Sequence, residues 1–469
     1  MPLILPSNSI SAGGYEVDNS LRFDDGSTDY LSRTPASASN RKTYTFSTWI
    51  KRSAIGSGVN WLFSAGTSGT GADRRYGFYL YNDFLYQDRY GSSNALSLKF
   101  RDISAWYHLV IAVDTTQATE SNRIKVYVNN VLYNFASSFF TQNEDTPVNS
   151  TLLHTIGTDG SSAGSNCFDG YMAEVVFIDG QALDPTSFGE FDEDTGIWKP
   201  IDVSGLTFGT NGFYLDFENS GSLGADVSGN SNNFTVNNLT SIDQTTDTPT
   251  NNFCTLNPLT TWTGGGNYTL SQGNNTITIG GTTEKRAVLG TLGFTKGKYY
   301  WEVKYISKTN DNYATIGITD ANTDELNGYG EYDYVYRGET AYKINNGVFT
   351  AWGNTWTVGD IISVAVDCDN NYIYFGKNGV WQESGDPTSG SSGTGSAFNI
   401  TDASNTDGGQ YLPCIGKQDA DTPVFSFNFG NPPFTISSGN SDGNGYGNFE
   451  YAVPSGYLAL NTKNLATDG

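Results

Sequence analysis

Apolar and polar side chains alternate with a period of two along much of the chain. The clearest segment contains Ile362, Val364 and Val366, where every second residue is apolar. A turn follows at Asp369–Asn371, and Tyr372–Phe375 then continues the alternation. Successive side chains of a strand point to opposite faces of a sheet, so this pattern predicts antiparallel strands that each bury one face.

The same period recurs in the first half of the chain. Residues 44–51 and 106–113 alternate in this way, and 168–178 form a longer apolar run. Clusters of Gly, Asn, Asp and Ser separate these runs, as turns between strands require, and helical periodicity is scarce. The sequence therefore predicts an all-β fold with two antiparallel β-sandwich domains and a β-rich connector.

Composition narrows the partners of these domains. The 469 residues exceed one ordinary sandwich, and the net charge of −24 repels phosphate, so we expect no nucleic-acid partner. The opening apolar run Met1–Pro6 is short and lacks a cationic flank, so we expect neither a secretory signal nor membrane insertion. The four cysteines are scattered, which predicts free thiols rather than a zinc site.

Five segments of the first block occur in a characteristic order. They are SLRFDDGSTDYLS, YTFSTWIKR, AWYHLVIAVD, IKVYVNNVLY and FDGYMAEVVFIDGQALDPTSF. In this order they resemble the concanavalin A-like or laminin G-like jelly-roll family. The resemblance implies a jelly-roll domain, which we place at residues 15–200.

A second set of segments lies further along the chain. It contains GKYYWEVKY, ATIGITD, DIISVAVDCDNNYIYFGKNGVW, YLPCIG and FSFNFGNPPF. These resemble the SPRY family, which implies a bent β-sandwich that recognises partners through variable loops. We place this domain at residues 258–436, with a connector at 201–257.

The remaining segments carry a third resemblance. The connector phrase GFYLDFENSGSLGADVSGNSNNFTVNN and the Gly/Asn-rich tail 437–469 are similar to virion proteins of tailed bacteriophages. This resemblance implies a virion location, assembly in the host cytoplasm, other virion proteins as partners and a homo-oligomer or arrayed copies. Residues 1–14 would then form an arm that docks onto a neighbouring subunit.

Catalytic candidates are few. The run Glu190–Asp194 has acidic residues at alternate positions, as in retaining glycosidases on concanavalin-like folds, but Gly189 and Gly196 bracket it and favour a solvated loop. His108 and His154 lack partners at the spacing of a nucleophile or metal site, which favours structural hydrogen bonding. We therefore predict no catalytic residues and no enzymatic activity.

Hard oxygen ligands occur near the start of the first domain. Asp24 and Asp25 are candidate calcium ligands, because calcium accepts carboxylate oxygens and several relatives of this domain bind it. Turns at strand ends need Asp and Gly regardless of metal, and this simpler explanation is favoured. No other cofactor is expected.

Two aromatic clusters are the candidate ligand-binding sites. Tyrosine rings cover the C–H groups of a sugar or a protein loop, while neighbouring arginines hold polar groups. For any single tyrosine, packing inside the sandwich is the favoured alternative. The candidate residues are Arg74, Arg75, Tyr76, Tyr86 and Tyr90 in the first domain, and Tyr332, Tyr334, Tyr336 and Arg337 in the second.

These observations lead to one main functional hypothesis and two alternatives. The main hypothesis is a non-enzymatic structural protein of a tailed-phage virion, whose domains bind host-surface glycan or protein. The first alternative is a purely architectural head or tail decoration protein without a host ligand. The second is a surface-polysaccharide depolymerase that uses the run Glu190–Asp194.

Overall fold

The structure is a computed structural model in which two compact units are described. The first comprises the described residues from 14 to 250 and the second those from 251 to 468. The structure describes residues 14–68, 74–89, 91–135, 140–260, 268–280, 286–309, 313–322, 329–417 and 422–468.

The first unit is built from antiparallel strands joined by turns. Its short 3₁₀ helices lie at Glu120–Asn122, Pro185–Ser187 and Ser241–Asp243. Its strands are β1 (Ser20–Phe23), β2 (Tyr30–Arg33), β3 (Thr43–Arg52), β4 (Asn60–Ala65), β5 (Tyr76–Tyr81), β6 (Phe84–Arg89), β7 (Ser92–Lys99), β8 (Tyr107–Asp114), β9 (Ile124–Val128), β10 (Val131–Tyr133), β11 (His154–Ile156), β12 (Gly170–Asp179), β13 (Gly189–Phe191), β14 (Trp198–Pro200), β15 (Phe213–Leu215), β16 (Thr235–Asn237) and β17 (Gln244–Thr245).

Two sheets of this unit enclose one core. The eight-stranded sheet has the order β10-β9-β8-β3-β12-β1-β17, with β15 also paired to β12, and the seven-stranded sheet has the order β16-β2-β11-β4-β5-β6-β7. Phe46 from the first sheet stacks on Phe63 from the second, with 5.0 Å between ring centres. Phe177 of β12 lies 5.8 Å from Phe63, so the aromatic core bridges both sheets.

The segment treated as a connector in the sequence analysis supplies strands to both sheets. Its strand β15 pairs with β12, β16 pairs with β2 and β17 pairs with β1. Phe213 and Phe234 pack in the core of the first unit. Residues 201–250 therefore complete this sandwich, because their apolar side chains close its core.

The second unit is also a two-sheet sandwich. Short 3₁₀ helices lie at Gln382–Ser384, Gly390–Ser392 and Ala403–Asn405, and one α-helix, α1, spans Thr462–Asp468. Its strands are β18 (Tyr268–Ser271), β19 (Thr276–Ile279), β20 (Arg286–Leu289), β21 (Lys298–Ser307), β22 (Thr315–Asp320), β23 (Tyr334–Arg337), β24 (Tyr342–Asn345), β25 (Val348–Ala351), β26 (Ile361–Asp367), β27 (Tyr372–Lys377), β28 (Val380–Trp381), β29 (Phe398–Asn399), β30 (Tyr411–Lys417), β31 (Val424–Asn428) and β32 (Leu458–Ala459).

The predicted meander is confirmed in this unit. Strand β26 pairs antiparallel with β27 and β27 with β28, inside a nine-stranded sheet. Its order is β18-β19-β31-β21-β26-β27-β28, with β29 also paired to β27 and β32 to β21. The facing six-stranded sheet has the order β20-β30-β22-β23-β24-β25. Ile362, Val364 and Val366 are fully buried in the core, as their alternation predicts.

The C-terminal segment packs onto the nine-stranded sheet. Strand β32 runs parallel to β21, and Phe449 packs edge-on against Tyr300 at 5.1 Å between ring centres. The carboxylate of Glu302, in β21, accepts hydrogen bonds from the backbone N–H groups of Glu450 at 2.9 Å and Tyr451 at 2.8 Å. A search of the described residues finds no helix with the length and apolar character of a membrane span.

Candidate binding surfaces

The acidic run forms a small hairpin rather than a pair of facing carboxylates. Strand β13 pairs with β14, and Asp192 in the turn accepts a hydrogen bond from the backbone N–H of Thr195 at 2.9 Å. The Lys199 ammonium lies 3.1 Å from Asp192 and 3.6 Å from Glu190. One lysine therefore pairs with both carboxylates, which does not resemble the arrangement of a nucleophile and an acid across a sugar bond.

His108 has the structural role that the sequence predicts. The indole N–H of Trp198 donates to His108 Nδ1 at 2.9 Å, so the ring proton is on Nε2, which lies 2.9 Å from Ser47 Oγ. A protonated Nε2 cannot accept the proton of Ser47, so this pair is not an activated nucleophile. Burial lowers the pKa of His108 to about 3, which keeps the ring neutral.

His154 is also structural. Its Nε2 accepts the backbone N–H of Asn149 at 3.0 Å, and its Nδ1 lies 2.8 Å from the carbonyl oxygen of Leu152. Burial lowers its pKa to about 4. Both nitrogens are used within the chain, so the ring has no lone pair left for a metal.

The two candidate calcium ligands lie in a tight turn. Asp24 is buried, and its Oδ1 accepts the backbone N–H of Gly26 at 2.9 Å, while Asp25 is exposed. Within the part of the chain that the structure describes, no group of three acidic, histidine or cysteine residues is placed to hold a metal ion. Calcium binding by Asp24 and Asp25 stays a prediction.

A row of aromatic rings crosses the outer face of the seven-stranded sheet. The residues of the aromatic row are Trp61, Tyr79, Tyr81 and Tyr86, from β4, β5 and β6. Tyr79 stacks on Tyr86 with 5.2 Å between ring centres and 6° between ring planes, and Trp61 lies 4.8 Å from Tyr79. Register explains the row, because Trp61 pairs with Tyr79 and Tyr79 with Tyr86.

Tyr86 lies at the end of this row, and Tyr81 also meets its ring edge-on with 5.9 Å between ring centres. The register partner of Tyr86 in β7 is Ala95, which has only a methyl side chain. Tyr79, Tyr81 and Tyr86 are each partly exposed. The row therefore brings three partly exposed tyrosine rings together, and aromatic rings with polar edges are a combination that suits a sugar ring.

Arg75 provides a fixed polar group beside the aromatic row. Its guanidinium lies over the Trp61 ring at 4.7 Å and contacts the Asp88 carboxylate at 3.1 Å. It also forms an ion pair with Asp159. Two carboxylates and a ring hold this side chain in one orientation, so its remaining N–H groups point in a defined direction.

The other sequence-predicted residues of this cluster lie elsewhere. Tyr76 is fully buried in the core, on the opposite face of β5 from Tyr79. Arg74 is exposed beside the row, and Tyr90 falls outside the described residues. The packing alternative therefore applies to Tyr76, which corrects its assignment as a ligand-binding residue.

In the second unit the structure separates the predicted tyrosines from the arginine. Tyr334 and Tyr336 are buried in the core because they lie on the inward face of β23, and Tyr332 is partly buried against the same cluster. The Tyr336 hydroxyl donates to the backbone carbonyl of Asn354. A ligand cannot reach these two buried rings, which corrects their assignment.

Arg337 lies on the outer face of the same strand. Its guanidinium carbon is 4.1 Å from the ring centre of Tyr313 and 5.5 Å from that of Phe349. Tyr342 meets Phe349 edge-on at 6.2 Å. We call Tyr313, Arg337, Tyr342, Val348 and Phe349 the Arg337 patch. Its edge strand β25 leaves Val348 64% and Phe349 38% exposed.

Comparison with known proteins agrees with both domain predictions. A model of the concanavalin A-like lectin/glucanases superfamily matches residues 25–187, and a model of the SPRY domain matches residues 298–416. The chain contains a concanavalin A-like domain and a SPRY domain. The all-β fold class is thereby confirmed.

Curated relatives match short stretches of the chain. Ran-binding protein 9 of Danio rerio is 37% identical over 86 residues, which are 18% of this chain and 14% of the relative. A Ran-binding proteins 9/10 homolog of Drosophila melanogaster is 36% identical over 87 residues, 18% of this chain and 9% of the relative. The chain thus spans less than a fifth of the length of these relatives.

Two solved SPRY domains are among the structures that match this chain. The SPRY domain of human HERC1 has a TM-score of 0.29 and 20% identity, and the match covers 37% of this chain and 96% of that one. Another human SPRY domain has a TM-score of 0.26 and 14% identity, and the match covers 34% of this chain and 96% of that one.

The sequence pattern did not reveal every residue of the aromatic row or every partner of Arg75. It missed Trp61, whose strand NWLFSA is buried throughout and shows no alternation. It also missed Asp88 and Asp159, which hold Arg75 from positions 13 and 84 residues away. The one available signal was the alternation of Tyr79 and Tyr81 in β5, which points both rings outward.

Proposed function

We propose that this protein is a non-enzymatic attachment protein whose concanavalin A-like domain binds glycan through the aromatic row. The observation that supports this most directly is the stacked pair Tyr79–Tyr86 beside the clamped guanidinium of Arg75. The description of the matched superfamily names lectins, which also favours a sugar as ligand.

The proposed contact has a simple physical basis. The C–H face of a pyranose would cover the partly exposed Tyr86 ring, while Arg75 and the tyrosine hydroxyls would hold its hydroxyl groups. A shallow site of this kind binds weakly in one copy. Arrayed copies raise the effective concentration, so attachment becomes useful when many copies are displayed together.

The setting proposed for this attachment is the virion of a tailed bacteriophage. The supporting observation is the likeness of the connector and tail segments to such virion proteins. In that setting the protein is assembled into the particle in the host cytoplasm, contacts other virion proteins and presents the aromatic row to a host-surface glycan.

A glycan array tests the proposal with the full chain displayed on multivalent beads. We expect binding to a subset of bacterial surface glycans and about tenfold weaker binding for Tyr86→Ala, which removes the ring. Tyr30→Ala is the matched control, because Tyr30 lies in β2 of the same sheet and outside the aromatic row. An array without signal, or equal losses in both variants, would contradict the proposal.

The architectural alternative is supported by a different observation. The edge strand β25 presents the apolar residues Val348 and Phe349 without a charged residue of its own, and such edges pair readily with other chains. Antibody labelling of particles in the electron microscope separates the two functions. Labelled domains that project from the particle favour attachment, whereas domains sealed inside a joint favour an architectural role.

The depolymerase alternative receives least support from the geometry. Two acidic residues of the run Glu190–Asp194, Glu190 and Asp192, share the ammonium of Lys199. If host polysaccharide releases oligosaccharides on incubation with the protein and Glu190→Gln abolishes the release, this alternative replaces the non-enzymatic proposal.

A further inference from the structure

A cavity of about 390 Å³ lies on the outer face of the eight-stranded sheet, away from the aromatic row. Its floor is formed by side chains that point outward from β8 and β9, and its wall by the segment after β12. This face is opposite to the core, because Val113 and Val126 from the same strands point inward. The lining residues are Ala112, Asp114, Gln117, Asn122, Lys125, Tyr127, Ala182, Leu183 and Asp184.

The floor of the cavity combines a small residue with an aromatic one. Ala112 is the register partner of Lys125, and Val110 is the partner of Tyr127. The Tyr127 ring packs partly against the apolar cluster that contains Val110 and Leu183. The methyl group of Ala112 leaves room beside the ring, which explains why a cavity forms at this place in the sheet.

The polar groups of the cavity are held in place by local hydrogen bonds. Asp114 accepts from the Gln117 side-chain amide at 2.5 Å, which leaves the Gln117 carbonyl oxygen for other donors. Asp184 Oδ1 accepts the backbone N–H of Thr186 at 3.0 Å. Lys125 forms no ion pair with any residue that the structure describes. Acceptors and a donor therefore line the cavity together with Tyr127.

Chemistry excludes most classes of occupant. Two carboxylates and one ammonium give the lining a net negative charge, which disfavours phosphate and other anions. A fully apolar molecule would leave Lys125 and Asp184 desolvated without partners. A neutral saccharide carries both hydroxyl groups for these residues and a C–H face for Tyr127, and the volume is within the range of small-molecule sites.

We propose that this cavity is a second saccharide site, which takes one or two residues of a neutral sugar. Tyr127 would lie against the sugar ring, Asp184 would accept from its hydroxyl groups, and Lys125 and Asn122 would donate to them. This inference goes beyond the proposed function, which uses the other sheet. With both sites filled, one domain would bind two glycan chains on opposite faces.

Titration calorimetry and saturation-transfer NMR on the full chain test the site. The probes are glucose, galactose, mannose, N-acetylglucosamine, lactose and maltose, each up to about 10 mM, the affinity range of shallow sugar sites. We expect at least one of them to bind. Asp184→Asn should weaken that binding about tenfold, since it removes a charged acceptor but keeps a side chain that caps the turn at Thr186.

Two further variants distinguish this site from the aromatic row. Tyr127→Ala should abolish binding at the cavity, and its near-ultraviolet circular dichroism checks that the domain still folds. Tyr86→Ala should leave sugar binding at the cavity unchanged. Loss of binding at the cavity is thereby distinguished from loss of binding at the aromatic row. The inference is overturned if no probe binds, if Asp184→Asn and Tyr127→Ala bind as the parent does, or if inorganic phosphate or glucuronate binds more tightly than every neutral sugar.

Discussion

The guanidinium group of Arg75 lies over the indole ring of Trp61, with 4.7 Å between the guanidinium carbon and the ring centre. This contact joins the aromatic row to the polar pair Asp88 and Asp159, whose side chains are almost fully buried. The row therefore depends on the ion pairs of Arg75 with two carboxylates as well as on ring stacking.

We predict that Arg75→Ala destabilises the concanavalin A-like domain by about 3 kcal/mol, because it leaves Asp88 and Asp159 buried without a cation. Chemical denaturation of the full chain, followed by tryptophan fluorescence, measures the change. Arg74→Ala is the control, since Arg74 is exposed and its loss should cost less than about 0.5 kcal/mol. Similar losses for the two variants would show that the Arg75 ion pairs do not stabilise the domain.

Glu302→Gln should loosen the C-terminal segment. The Glu302 carboxylate accepts the backbone N–H groups of Glu450 and Tyr451 and the side-chain amide of Asn428. An amide at this position must direct an NH₂ group toward one of these donors, which should cost about 2 kcal/mol.

Hydrogen exchange measures the effect of Glu302→Gln locally. The amides of Glu450 and Tyr451 should exchange faster in the variant, while those of the β26–β27 hairpin stay protected. Glu339→Gln is a control on a partly exposed carboxylate of the same SPRY domain. Unchanged exchange at 450 and 451 would mean that other contacts hold the segment.

Stability of the concanavalin A-like domain should depend on the protonation of Glu174. Its carboxylate accepts the hydroxyl groups of Tyr15 at 3.1 Å and Tyr214 at 2.8 Å, and burial raises its pKa from 4.5 to about 7. A carboxyl with a raised pKa in the folded state stays protonated there while it ionises in the unfolded chain. The resulting penalty grows as the pH rises from about 4.5 to 7 and is complete above 7.

Glu174→Gln removes this titration but keeps an oxygen that accepts from both tyrosines. We expect the variant to gain stability relative to the parent at pH 8, on the order of 3 kcal/mol, and to lose that gain at pH 4.5. Denaturation curves at the two pH values give the difference. Glu193→Gln, at an exposed position, is the control variant, and a gain that is equal at both pH values would rule out Glu174 as its source.

Tyr336 of the SPRY domain is buried, so its substitution should change stability without changing glycan binding. Tyr336→Phe removes a buried hydroxyl that donates to the Asn354 carbonyl, so it should destabilise the domain by about 1 kcal/mol. It should leave glycan binding unchanged, because the ring is fully buried. Thermal unfolding and the glycan array together check both parts, and loss of binding at constant stability would reinstate Tyr336 as a contact residue.

Much of the fold could be predicted from local pattern. Alternation at Ile362, Val364 and Val366 correctly predicted which face of β26 is buried. The tight turns between apolar runs correctly predicted antiparallel pairing. The same rule could have separated Tyr76 from Tyr79 in β5, since one position of offset reverses the face. Residues 201–250 have few apolar positions, so their strands could not be assigned to the first sandwich from the pattern.

The sequence by itself determined an all-β chain with two sandwiches, because a period of two needs only neighbouring residues to specify which side chains share a face. Only the tertiary structure decided which aromatic rings are exposed to solvent and which charged side chains contact those rings. Trp61, Arg75 and Asp159 come together through strand pairing across many residues, and Ala112 opens a cavity only because Asp184 returns over the same sheet. Such contacts depend on register and loop path, which no local pattern of hydrophobicity contains.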